Sequence, residues 1–215
     1  MRKDKQAGEW WIGAMAISFV AVLGAKAGQV YDNGSPVMKN GNEMTQWIQA
    51  EDFSLDSPVV LTNVRFWGFE QTTGAYVGSI VWSIYSDSSS TPGTLLQRGT
   101  AVPTVTDYGT DYQFDFAVGT LNLGAGTYWL GLHNGPLTTT TRETFYWNHT
   151  AANATTPGHE DQAPFDTGGW FNNSQEHAFE LFAQTGNRVI PAPGAILLGM
   201  FGTSMVGWMR RRRTL

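Results

Sequence analysis

Tyr112-Gln113-Phe114-Asp115-Phe116-Ala117-Val118 alternates apolar and polar side chains with a period of two. That period belongs to a β-strand, in which successive Cβ atoms point to opposite faces. Tyr112, Phe114, Phe116 and Val118 form the core side, while Gln113 and Asp115 face water. One wet face is the mark of an antiparallel sheet, because parallel sheets are covered on both sides.

The same pattern continues outward in both directions. Upstream, Leu61 to Phe69 and Ser79 to Tyr85 read as strands. In the second, Ile80, Trp82 and Ile84 share one face and Val81 and Tyr85 the other, so both faces are apolar and the strand is expected at the centre of a sheet. Thr127 to Leu132, Thr144 to Asn148 and Ala178 to Ala183 add further strands, and Thr94 to Arg98 carries a fainter version of the pattern. Clusters of Gly, Pro, Asn and Ser separate them, as turns require. The predicted fold is all-β: a single antiparallel β-sandwich, jelly-roll-like, spanning residues 28–187. Trp67, Trp82 and Trp129 lie on these strands and are expected in the core. The composition agrees, since 25 Gly, 12 Phe, 9 Trp and 7 Tyr against 14% charged residues suit strands and tight turns better than helices. Within the body only Glu43 to Ala50 reads as a short surface helix, and Thr138 to Thr141 reads as a loop.

The basic residues are concentrated at the two ends. Between Gly28 and Gly186 four of them (Lys39, Arg65, Arg98, Arg142) face 16 Asp and Glu, a net of −12. Such a body repels phosphate backbones, which excludes nucleic acid as a partner, and favours solubility and cation binding. The chain has no cysteine, which excludes disulfides, thiolate metal sites and cysteine nucleophiles.

Each end carries a targeting pattern. Arg2, Lys3 and Lys5 precede an apolar run from Trp10 to Leu23, followed by Ala25-Lys26-Ala27. This is the order of a secretory signal peptide, with signal peptidase cutting after Ala27. The alternative, an uncleaved anchor helix, needs about 20 apolar residues, and the run is shorter. At the other end, Pro191-Ala192-Pro193 precedes an apolar stretch from Ala195 to Trp208 and then Arg210, Arg211, Arg212 and Arg213. Two prolines one residue apart keep the backbone extended up to Pro193, and a helix is expected beyond it. The arginines hold the extreme terminus in the cytoplasm and place the body across the membrane, in agreement with the signal peptide. A simple tail anchor is the plainer reading of the same residues.

These three ordered elements resemble the PEP-CTERM sorting domain, with Ala192 where the usual pattern has glutamate. The resemblance covers residues 188–215 and implies a membrane helix recognised and cut by an exosortase in a bacterium that makes exopolysaccharide. The body resembles the choice-of-anchor β-domains that accompany such tails. The resemblance rests on Val30-Tyr31-Asp32-Asn33-Gly34, on Ile84-Tyr85-Ser86-Asp87 with Thr91-Pro92-Gly93-Thr94-Leu95-Leu96, and on Leu123-Gly124-Ala125-Gly126-Thr127-Tyr128-Trp129-Leu130. It implies surface or matrix architecture and not catalysis.

No nucleophile-elbow, zincin or phosphate-loop pattern occurs in the sequence. His133, His149, His159 and His177 have no ligand spacing and are expected as surface or capped loop residues. Glu160, Asp161, Asp166 and Glu176 lie in a polar stretch that could pair carboxylates as a glycosidase does, although 16 acids on a small domain supply such pairs by chance. Among ions, calcium best suits oxygen donors in loops, with Asp32, Asn33 and Asp166 as candidate ligands; Asp32-Asn33-Gly34 serves equally as a plain turn. Aromatic residues near loops, Trp147, Trp170 and Phe171, are the candidates for stacking on sugar rings. The sequence thus predicts an exported, non-catalytic surface or biofilm-matrix protein, with a polysaccharide-binding module as the alternative.

Overall fold

A computed structural model describes residues 27–151 and 156–184, which form thirteen strands and no helix. Two antiparallel sheets stack as a sandwich. The first is built around the long strand β4 (Val59–Glu70), which pairs along one side with β8 (Tyr112–Leu123), itself paired with β7 (Thr104–Asp107). Two strands share the other side of β4. Its residues Leu61 to Phe66 pair with β13 (Phe179–Gln184), and Gly68 to Glu70 pair with β10 (Phe145–Thr150). Outside these lie β1 (Ala27–Asp32) on β13 and β2 (Pro36–Glu43) on β10. The second sheet runs β12 (Phe171–Asn172), β11 (His159–Gln162), β3 (Trp47–Leu55), β9 (Gly126–Asn134), β5 (Ile80–Asp87), β6 (Pro92–Ala101).

The alternation at Tyr112 to Val118 is realised in β8, where Phe114, Phe116 and Val118 are buried. Phe114 stacks on Phe66 across the pair at 4.7 Å, and Trp147 and Phe116 meet Phe66 edge-on. The opposite face carries Arg65, which bonds Asp115 at 2.8 Å and Glu180 at 3.2 Å. β5 lies inside its sheet between β9 and β6, with Ile80 to Tyr85 all buried, as two apolar faces require. Thr94 to Arg98 lies within β6.

Two expectations fail. Glu43 to Ala50 is no helix: Glu43 ends β2 and Trp47 opens β3, which bonds to β9 on one side and β11 on the other. The Gln, Ala and Glu side chains favour helix locally, but full pairing on both edges outweighs a propensity difference of well under 1 kcal/mol per residue. Glu43 instead organises the turn, since its carboxylate accepts from the Thr45 backbone N at 2.8 Å and the Gln46 N at 2.9 Å. Trp67 is not in the core either: it stands half-buried on the outer face of β4, out of phase with Phe66 and Gly68.

Ala27 pairs with Gln184 in the β1–β13 ladder, so the chain enters and leaves the described body side by side. The expected signal helix with Ala25, the Pro191-Ala192-Pro193 motif, the sorting helix and Arg210 to Arg213 lie outside the described residues. Among the described residues no helix is long and apolar enough to cross a membrane.

Candidate functional site

The outer face of the β5–β9 sheet carries a cleft. Because Trp82 and Ile84 point inward, Ser83 and Tyr85 point out, and a loop from Gln162 to Trp170 folds over them. Asp166 pins that loop. Its carboxylate takes a two-pronged bond from Arg98, Nη1 to Oδ2 at 2.7 Å and Nη2 to Oδ1 at 2.9 Å, and accepts from the Tyr85 hydroxyl at 2.8 Å. Arg98 is held in turn by Ser83 Oγ at 2.7 Å and the Tyr85 oxygen at 2.8 Å. The fork geometry makes this a directional clamp and not merely a charge contact. Burial works to raise the Asp166 carboxyl, but the bonds from Arg98 and Tyr85 outweigh it and hold the group below the usual carboxylate range. Asp166 sits at φ 63°, in the left-handed region, and its backbone N donates to the buried Asp161 Oδ2 at 2.6 Å.

Between this loop and Pro92 to Leu95 opens a cavity of about 330 Å³, within the size range of small-ligand sites. Trp170 lies half-buried in its wall, edge-on to Tyr85 at 5.2 Å, with Thr94 and Thr167 beside it. An aromatic ring flanked by hydroxyl and carboxylate groups can stack on the apolar face of a sugar and meet its hydroxyls. Phe171, 60% exposed, follows on β12 but does not line the cavity.

Of the aromatic trio expected to bind sugars, then, Trp170 lines a cleft and Phe171 is exposed. Trp147 is fully buried: it lies in β10, packs against Phe66 and Phe179, and donates its indole N–H to the Ala178 carbonyl at 2.9 Å. The proposed calcium ligands have separate partners. Asp32 accepts from Gly34 N at 2.8 Å, which is the plain turn, Asn33 donates to the His177 carbonyl at 2.9 Å, and Asp166 is engaged by Arg98. Among the described residues no group of three or more His, Asp and Glu is arranged to hold a metal ion.

The histidine expectation is overturned. All four are buried, and desolvation holds each below its ordinary value. His149 and His177 meet where β10 and β13 part from one another along β4, forming an isolated bridge. There Glu51 of β3, also fully buried, reaches across from the facing sheet: its Oε2 accepts from the His177 backbone N at 2.9 Å and from Nδ1 at 2.7 Å. Burial pushes the Glu51 carboxyl well up, with the Glu176 charge adding to it, and pushes His177 well down. Both directions favour the uncharged forms, so the contact is a neutral hydrogen bond despite its ion-pair geometry. Glu51 Oε1 and Glu176 Oε1 are both buried carboxyl oxygens without a hydrogen-bond partner among the described residues. Burial, followed by the Asp52 charge, raises Glu176 to about 7. Gly158 closes the cluster, since a Cβ there would lie 2.8 Å from Glu51 Oε2 and 2.9 Å from His177 Nδ1. Of the acids read as a carboxylate region, Glu160 and Asp161 are thus strand residues of β11, Asp166 belongs to the clamp, and Glu176 lies near enough to Glu51 for its charge to raise that carboxyl.

Neither a scan of the chain against models of protein families nor a search of curated proteins finds a match.

Proposed function

We propose that this chain is an exported cell-surface or exopolysaccharide-matrix protein with a structural, non-catalytic role, its jelly-roll-like body delivered by the N-terminal signal and sorted through residues 188–215. The observation that carries the reading is the pairing of Ala27 with Gln184. Removal of everything through Ala27 takes one residue from the β1 ladder and leaves Gly28 to Asp32 paired, so signal cleavage and folding are compatible. A tail that departs beside the mature start leaves the rest of the sandwich free to project from the membrane. In this reading the membrane helix and the arginine cluster hold the chain until an exosortase acts near Pro193.

The non-catalytic part is supported by the sealing of the strongest acid–base pair. Glu51 and His177 are both 0% exposed, out of reach of any substrate. A test of the sorting step is Arg210→Ala through Arg213→Ala in the native host. Loss of the arginines is expected to redistribute the protein among membrane, surface and medium, and an unchanged distribution contradicts the assignment. A second reading, a carbohydrate-binding module, is favoured by the Trp170 cleft.

A further inference from the structure

We infer that the body carries two glycan-binding grooves on opposite faces of the sandwich and joins two polysaccharide chains, a role that deepens the matrix reading and rests on it. One groove is the Trp170 cleft on the outside of the β5–β9 sheet. The other lies on the outside of the β4 sheet, where Phe66 and Gly68 face the core and Phe69 therefore faces out. Phe69 is the register partner of Tyr146 on β10, and the two rings stack at 4.8 Å with 10° between their planes. A cavity of about 460 Å³ borders them, lined also by Lys39, Asn40, Gly41 and Gln71.

The local build favours a flat, hydroxyl-rich ligand. At Gly41 a Cβ would collide with the Trp147 carbonyl and come within 3.2 Å of Phe69 Cε1, so glycine both lets β2 approach β10 and keeps the flank of the ring clear. Tyr146 donates its hydroxyl to Gln71 Oε1 at 3.1 Å, which leaves the Gln71 amide N–H groups free to meet a ligand oxygen. Lys39 is at φ 52°, its backbone fixed by an N–H bond to Asp111 Oδ1 at 3.0 Å. Glu70 also lines the cavity, with its carboxylate engaged by the Tyr76 N at 2.6 Å and the Gly74 N at 3.2 Å. Trp67, two residues before Phe69 on the same face of β4, extends the aromatic surface. Rings for the C–H face of a sugar, amides for its hydroxyls and a cavity inside the usual 300–1,000 Å³ range are the elements of glycan recognition.

The ligand is a neutral glycan. A body of net −12 repels polyanions, and of the cations at the two grooves Arg98 is already neutralised by Asp166, leaving Lys39 alone. A groove on each side of a rigid double layer cannot be filled by one straight chain, so filling both links two.

Stoichiometry tests this directly. Native mass spectrometry and calorimetry of the full chain with cellohexaose, maltohexaose and mannohexaose are expected to show two equivalents bound per chain for at least one sugar. Trp170→Ala and Tyr146→Ala should each leave one equivalent, and the double variant none. Thr94→Ala and Gln71→Ala, which leave the rings intact, should weaken their own site about tenfold, the loss of one hydrogen bond. No binding of any of the three sugars, a single equivalent in the unmodified chain, or two equivalents surviving either ring deletion overturns the proposal. The sorting reading stands or falls separately, on the fate of the tail, because glycan stoichiometry is independent of processing.

Discussion

Between β4, β8, β5 and β9 the space between the sheets is filled by Phe66, Phe114, Ile84 and Leu130, each at most 1% exposed. Where β10 and β13 part, the same interlayer is filled by Glu51, His177 and His149, the first two fully buried as well. The two regions are equally dry and are stabilised differently. In the first, each side chain contributes through area and fit, and partners are interchangeable so long as volume is kept. In the second, stability rests on particular contacts such as those of Glu51 Oε2 with the His177 backbone N and Nδ1, because an unpaired buried group costs about 1–3 kcal/mol.

The largest effects should separate the two modes. Phe114→Ala opens a cavity among four rings and is expected to cost about 4 kcal/mol in urea unfolding, while Phe114→Leu costs under about 1.5 kcal/mol. His177→Ala should cost about 3 kcal/mol, and His177→Phe, which restores apolar volume, should recover little of it. Equal rescue by the two volume-conserving changes would show that the polar cluster is ordinary packing.

Gly158→Ala is the next smaller effect, about 2 kcal/mol, because the new methyl presses on Glu51 Oε2, His177 Nδ1 and the Ala50 carbonyl, none of which can move alone. An unaffected melting temperature would mean that the cluster relaxes, contrary to the account.

The smallest effect is pH-dependent. Glu176 titrates near 7 in the fold against an ordinary 4.5, so its neutral form is the stabilised one. That contribution is complete below pH 4.5 and is lost as pH rises through 7. Glu176→Gln stays neutral, so its stability relative to the parent should rise across this interval by about 1–2 kcal/mol, a value discounted for the partial exposure of the side chain. His177 works in the opposite direction, its stabilisation falling as pH drops below 6.5, but it is common to both proteins and cancels in the difference. A flat difference between pH 4.5 and 8 would show that Glu176 is not raised by its burial, contrary to the account.

The same contrast decides what could be read from the sequence. Phe114, Phe116 and the two-faced run Ile80 to Tyr85 announce themselves because burial by area leaves a periodic trace in the chain that bears it. Gln49, Ala50 and Glu51 leave the opposite trace, that of a helix or a solvated surface, since their burial depends on partners far away in sequence. His177 among Gln175, Glu176 and Asn173 resembles a loop residue for the same reason. Trp170 was legible as a ring beside a loop, and it lines a cleft, whereas Phe69 and Tyr146 become a pair only through the register of β4 with β10. Trp147 misled because a polar neighbourhood in sequence, Asn148 and His149, is a buried one in space.

The account's central claim, export followed by tail-directed sorting, is met most directly by intact mass and peptide mapping of the native protein from its host's envelope and medium. The predicted chain begins at Gly28, keeping the Gly28 to Ala183 pairing of the outer ladder, and ends close to Pro193. A chain that retains its first 27 residues, or one that carries Arg210 to Arg213 in the membrane fraction, contradicts it.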